Sequence, residues 1–382
     1  MPTDHSFTYV QTIDELDRFA DTWLPSIEGQ TIAIDIEEDR EMHYFPKVAL
    51  IQITRDGHDA VLDPLQLPHD ALTPVVEAIC LTPSEIVMHG ARNDVVGLKR
   101  DFGVGPGPLR DTQIAARFGG STQFGLANQL ETYFGIHLDK AVRRSDWTQR
   151  PLDDEQLAYA RADTTHLVEL WRRLQPMAAE AGWIDAVIEE CAALADLPAE
   201  TINFDPDGWR KVKGARALDA DGTRRLAALW LWREQTGEQY NIHPTRVLPP
   251  WALINLAERG PRALRKRLSG MDRRIYENHA AELTSLLEHP PIVERRAAPR
   301  SREASPVPTS VAKARVEALL AWRKEESDRC GLESGLLAPR NLLESIAKLT
   351  PSGPRDFACV DDVRTWRLTR YAECWMELVS EP

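Results

Sequence analysis

Asp35 and Glu37 stand two residues apart in the β-rich run TIAIDIE. In a strand that spacing sends both carboxylates out of the same face. Asp94 follows the apolar run EIVMH, at the start of a predicted helix. Tyr159 and Asp163 are four apart in a third segment that reads as helix, so they stack as neighbours on one face. Carboxylates converging from strand and helix cannot all stay ionised unless cations neutralise them. An all-oxygen donor set of this kind suits Mg²⁺ or Mn²⁺, with substrate phosphate completing the coordination. Two such ions ~3.5–4 Å apart can activate a water on one side and stabilise a leaving oxygen on the other. Tyr159, with no need to bind metal, would orient or deprotonate that water. Singly, each motif is commonplace: acids at strand ends are routine, and a half-buried tyrosine often lies beside a solvated aspartate. Their order and the elements that carry them give them joint weight.

Those elements can be read from periodicity. TIAIDIE, KVALIQITR and HDAVLDP predict three strands within residues 30–63, separated by the polar turns EEDREMHYFP and RDG. Residues 70–80 predict a helix and 85–89 a fourth, buried strand, with helices at 92–101, 110–118 and 124–135. Between 154 and 175, Leu157, Ala160, Thr164, Leu167, Trp171 and Leu174 recur at steps of three and four, which predicts one long helix. Asp153 and Gln156 have the spacing of a capping box at its start. Strands followed by strand–helix alternation imply an α/β fold, a mixed sheet covered by helices.

Beyond residue 210 helix formers and arginine dominate, and the chain repeats itself. LAALWLWREQTG at 226–237 resembles VEALLAWRKEES at 316–327, and the same offset of 90 matches Val247 with Leu337, Pro249 with Pro339, Ala257 with Ala347 and Pro261 with Pro351. Two copies of one small all-α unit follow. The expected layout is a catalytic domain over 1–210, helical domains over 211–290 and 311–382, and a Pro/Ser/Arg-rich linker over 291–310.

The 382 residues suffice for two or three domains, and no apolar run reaches the ~18–20 residues of a membrane span. MPTDHSFTYVQTIDEL lacks the pattern of a signal peptide, so cytoplasmic residence is expected. Five scattered cysteines without a C-x-x-C argue against a disulfide framework and against a zinc site. The net charge of −13 divides unevenly. Residues 1–200 carry 16 Lys and Arg against 34 Asp and Glu, whereas 201–300 carry 18 against 12. An acidic front suits divalent cations and a basic middle suits phosphate, although acidic proteins are common whatever they bind. GVGPGP at 103–108 lacks the Lys-Ser/Thr of a phosphate loop and reads as a turn.

IAIDIE, VMHGARNDVVGLKRDFG and SDWTQRPLDDEQLAYARAD together resemble the three exonuclease motifs of the DEDD superfamily, in its tyrosine-containing branch. The last segment and FGLANQLETYFGIHLDKAVRRSDW before it are similar to the ribonuclease D family, continuously over about residues 1–200. The repeat resembles the HRDC domain, through the Leu-x-x-Leu-Trp-x-x-Arg run, PTRVLPPWALINLA and Pro261. The resemblance implies an RNase H-like sheet followed by two HRDC-type domains. It also implies two divalent ions held by Asp35, Glu37, Asp94 and Asp163, with Tyr159 positioning the nucleophile. Glu38 stands where that family commonly has an aromatic residue, and Arg161 where a small one is usual.

The implied activity is 3′→5′ trimming of structured RNA such as transfer RNA precursors, by a monomer that releases nucleoside 5′-monophosphates. A DNA-directed 3′→5′ exonuclease and a catalytically inactive RNA-binding adaptor are the alternatives. Arg262, Arg265, Lys266 and Arg267 cluster beside a predicted helix as candidate phosphate contacts, or as a solvated helix face, with Lys211 and Lys213 secondary. Gln52 is a candidate nucleotide contact or a glutamine at the core's edge, and His89 a candidate contact or a strand-end histidine satisfied by backbone. Trp147 and Arg150 are expected to anchor the loop before the third motif.

Overall fold

The computed structural model describes residues 6–39, 42–138, 142, 145–199, 201, 203–264, 267–291 and 307–380. Most of the expected linker lies outside them. Six strands, β1 (Ser6–Val10), β2 (Ile32–Glu38), β3 (Val48–Arg55), β4 (His58–Leu62), β5 (Ile86–Met88) and β6 (Leu109–Asp111), form one sheet in the order β1-β4-β3-β2-β5-β6. β3 and β4 are antiparallel, whereas β1–β4, β2–β5 and β5–β6 are parallel. Asp56 and Gly57, both at positive φ, make the two-residue hairpin turn between β3 and β4. That turn matches the right-handed twist of its strands, which is why Asp-Gly is favoured there. All eight residues of β3 are buried, in keeping with the apolar run that predicted it. β1 and β6 were not expected, and β6 has only three residues, gaining its strand character from pairing with β5.

The helices of this part are α1 (Ile13–Trp23), α2 (His69–Cys80), α3 (Arg92–Phe102), α4 (Thr112–Phe118), α5 (Leu126–Phe134), α6 (Asp154–Thr165), α7 (Leu167–Glu180) and α8 (Ile184–Ala195). The single helix predicted over 154–175 is thus two, broken at His166 (φ −110°, ψ 0°). Each half has its own packing partner. α6 lies on β4, whereas α7 packs against α4, α5 and β5. Helical spacing continues through the break because both halves bury a face, and spacing alone does not register a change of direction.

Among the described residues eight further helices follow: α9 (Ala220–Tyr240), α10 (Pro244–Val247), α11 (Pro250–Arg259), α12 (Arg273–Glu288), α13 (Thr309–Cys330), α14 (Ser334–Leu337), α15 (Arg340–Ile346) and α16 (Thr365–Ser380). The offset of 90 is visible in three dimensions. α10 and α14 align residue for residue, Pro249 and Pro339 each cap the next helix, and Val247, Leu337, Ala257 and Ala347 are all fully buried.

The chain forms two compact units, one of residues 1–37, 49–200 and 300–382, the other of 38–48 and 201–299. Within the first, the second helical repeat docks on α8. Arg367, 4% exposed, donates to Glu190 (2.6 Å) and to the carbonyls of Leu336 and Leu337, and Trp366 Nε1 reaches the same glutamate at 3.0 Å. Within the second, Leu226, Leu229, Trp232, Leu253, Leu256, Ile275 and Leu283 form the core. The segment between β2 and β3 belongs to this unit. Tyr44 donates to Glu234 (2.8 Å), and Met42 and Phe45 bond His243 and Asn241.

Candidate active site

One oxygen from each of Asp35, Glu37 and Asp163 lies within 4.8 Å of the other two. Among the described residues this is the one such grouping of His, Cys, Asp and Glu side chains. Asp35 and Glu37 leave β2 half-buried, and Asp163 approaches from α6 with 6% of its surface exposed. The donors are oxygen only, which fits a hard divalent cation and not zinc of the cysteine–histidine type. Tyr159, one turn before Asp163, is half-buried, with its ring centroid 6.2 Å from that of Trp147. Asp94 is not a member of the tight group. It sits in the first turn of α3, just beyond the C-terminal end of β5. Because β2 and β5 run parallel side by side, that end lies at the same edge of the sheet as Asp35 and Glu37.

Buried polar networks hold each piece. Beneath α6, Asp59 (2% exposed) accepts from Thr54 (2.8 Å), Thr165 (3.2 Å) and Arg161 (3.2 Å), while Thr54 also bonds Thr164 at 2.8 Å. Arg161 lies over the Phe7 ring, 4.5 Å from its centroid. The arginine that departs from the family pattern therefore fastens α6 to β4. The loop before α6 is tied down by Arg150, which donates to Asp63 (2.7 Å) and to the carbonyls of Ala49, Trp147 and Gln149. Tyr9 donates to the same fully buried Asp63, and burial followed by that carboxylate pushes the phenol's pKa up. Asp153 and Gln156 form the expected capping box.

The site of Asp94 is held by a residue that sequence reasoning missed. Asp111, 1% exposed, accepts from the backbone N–H groups of Gly90 and Ala91 in the β5–α3 loop and of Gln113 and Ile114 at the start of α4. Its place before Thr-Gln-Ile carries an N-cap signal, yet nothing local in sequence shows that it also reaches the loop of the second motif. Gly90 is at φ +65°, and a Cβ there would meet the Gln113 amide at 3.1 Å.

The expected nucleic-acid contacts differ in exposure. Gln52 is fully buried, and neither atom of its amide has a partner, so it offers no surface to a nucleotide in this conformation. His89 is half-buried, with Nδ1 2.9 Å from Thr112 Oγ1. Arg262 is exposed, and Arg267 is exposed but donates to the Met271 carbonyl at 2.6 Å. Arg265 and Lys266 lie outside the described residues. All five cysteines are unpaired, and burial pushes the thiols of Cys80 and Cys191 up to about 12. No described helix is long and apolar enough to cross a membrane.

Comparison with known proteins fits this geometry. The model of a 3′–5′ exonuclease matches residues 8–179, and that of the HRDC domain matches 223–287 and 312–379. Ribonuclease D of Zymomonas mobilis is 38% identical over 236 residues, which span 60% of this chain and 59% of that protein. Ribonuclease D of Gluconacetobacter diazotrophicus is 32% identical over 310 residues, 78% of this chain and 76% of that one. The crystal structure of Escherichia coli RNase D, described as an exoribonuclease involved in structured RNA processing, superposes with a TM-score of 0.69 at 25% identity, covering 98% of this chain and 99% of that one. The chain spans about three fifths of the Zymomonas relative and three quarters of the Gluconacetobacter one, and this alignment, with an exonuclease sheet followed by two HRDC repeats, places the chain in the ribonuclease D family.

Proposed function

We propose that this chain is a metal-dependent 3′→5′ exoribonuclease that shortens structured RNA with a single-stranded 3′ end, transfer RNA precursors among them. The observation that carries the reading is the grouping of Asp35, Glu37 and Asp163 within 4.8 Å, with Tyr159 one helical turn away. The description of the E. coli structure supports the choice of structured RNA. Asp35, Glu37 and Asp163, with Asp94 from α3, would hold two Mg²⁺ or Mn²⁺ ions. Bound there, the ions supply Lewis-acid charge that activates water and offsets negative charge on the phosphate and the leaving oxygen. Tyr159 hydrogen-bonds the attacking water and orients it toward phosphorus. The 3′-oxygen leaves, so the product is a nucleoside 5′-monophosphate. Asp59 and Arg150, through the contacts that fasten α6 and its preceding loop, hold Tyr159 and Asp163 in place.

The acting form is a monomer in the cytoplasm, with a catalytic domain over 1–210 and HRDC domains over 211–290 and 311–382. Arg262, Arg265, Lys266 and Arg267 are its candidate phosphate contacts. The test is to incubate the purified chain with RNA labelled at either end in Mg²⁺ or Mn²⁺, beside a DNA oligomer of the same sequence. Stepwise loss from the 3′ end of RNA, abolished in Asp35→Asn and Asp163→Asn, is expected. Internal cuts, preference for DNA, or full activity in both variants would defeat the reading.

A further inference from the structure

Trp251 is 51% exposed, the most exposed tryptophan side chain of the large exposed hydrophobics. It lies in the first turn of α11, within the stretch 201–300 that carries the chain's excess of basic residues. Burial elsewhere on α11 explains Ala252, Leu253, Leu256 and Ala257, which face the core. It does not explain Trp251, whose exposed indole forfeits the transfer free energy that normally keeps so large a ring inside.

The surroundings of Trp251 have a consistent character. Ile254 and Asn255, three and four residues on, share its face of the helix. The loop at Gly214 (φ +100°) crosses directly over Ile254, close enough that a Cβ on the glycine would touch that side chain at 3.6 Å. Lys213 and Arg216 flank this crossing and are exposed. Neither makes an ion pair among the described residues, whereas nearby Arg210 and Lys211 pair with Asp207 and Asp205. Glu258, one turn beyond Ile254, is the acid that bounds the patch. A flat aromatic ring, with two unmatched cations on the loop that touches Ile254 one helical turn along, is the chemistry that takes a nucleobase and the phosphates beside it. Every base offers a π-face to the ring, and the cations release counterions from the backbone.

We propose that Trp251 is a stacking platform for single-stranded RNA, with Lys213 and Arg216 holding the phosphates on either side. The assignment rests on the chain acting on RNA, so its test separates binding from turnover. Affinity of the full chain for a fluorescent single-stranded RNA of roughly a dozen nucleotides is measured by anisotropy in EDTA, where no metal supports hydrolysis. W251A should weaken binding by about tenfold or more, the usual loss for one stacked base, and W251F, which keeps a ring, by much less. In K213A/R216A the slope of log affinity against log salt should fall by about 1.4, two phosphates at ~0.7 each. RNA affinity equal to wild type in W251A and in K213A/R216A overturns the proposal and assigns the patch to a protein partner. If the wild type does not hydrolyse RNA with Mg²⁺ or Mn²⁺, the exonuclease reading fails, while the anisotropy series still decides the platform.

Discussion

Replacing Asp59 by asparagine tests whether the network under α6 sets the position of Asp163. The carboxylate is 2% exposed and accepts from Thr54, Thr165 and Arg161. The amide keeps the shape but loses the charge, and its NH₂ either opposes the guanidinium or forces a threonine hydroxyl from donating to accepting. Breaking a fully buried ion pair costs about 3–5 kcal/mol. Arg161 is 31% exposed and keeps its contact with the Phe7 ring, so water screens part of that loss. About 2 kcal/mol is the reasoned figure. A chain of two units does not unfold in one step, so the loss is read locally, as amide hydrogen exchange along α6 faster by about 30-fold. Asp163 loses its fixed approach to Asp35 and Glu37, and misplacement of ~1 Å is worth up to about 100-fold in rate. RNA hydrolysis by D59N should therefore fall by about 10- to 100-fold in kcat, with part recovered at high Mn²⁺. Faster exchange with unchanged kcat would refute the argument that this network positions Asp163 for its proposed role, and unchanged exchange would refute its energetic basis.

Arg367→Ala removes the guanidinium that joins Glu190 to the Leu336 and Leu337 carbonyls, and about 3 kcal/mol of local stability in α14–α16 should go with it. Limited proteolysis should then release residues C-terminal to the expected linker, and an unchanged cleavage pattern would count against that docking. In α13, Glu326 is held below the ordinary glutamate range, first by hydrogen bonds from Arg329 and also by the Tyr371 hydroxyl. A depressed folded value stabilises above the unfolded pKa of ~4.3, and this contribution is lost as pH falls through the folded one. Thermal melts between pH 6 and pH 3 should thus show a steeper acid loss in wild type than in E326Q. Cys80 and Cys191, with thiols near 12, should resist iodoacetamide at pH 8 in the native protein while exposed Cys359 reacts, as peptide mass spectrometry would register.

Much of this molecule is written locally. A two-residue spacing in an apolar strand puts Asp35 and Glu37 on one face, and a four-residue spacing on a helix does the same for Tyr159 and Asp163. The offset of 90 predicted two copies of one helical unit, down to the buried Ala257 and Ala347 and the capping Pro249 and Pro339. These features depend on periodicity and on single-residue backbone preferences, both of which survive in a one-dimensional string.

What joins distant segments does not. Asp111 serving the loop of the second motif, Arg161 reaching Asp59 and Arg150 reaching Asp63 are bonds over sequence separations that no local pattern encodes. The turn at His166 followed only from α6 and α7 having different partners, and Gln52 proved to lie wholly inside the core. Placement of 38–48 with the first helical repeat, and of the second repeat against α8, was equally a tertiary decision. Sequence alone determined which side chains share a face, because face is set by backbone geometry. Which faces meet was decided by the folded chain, since burial and buried hydrogen bonding are satisfied between segments and not within them.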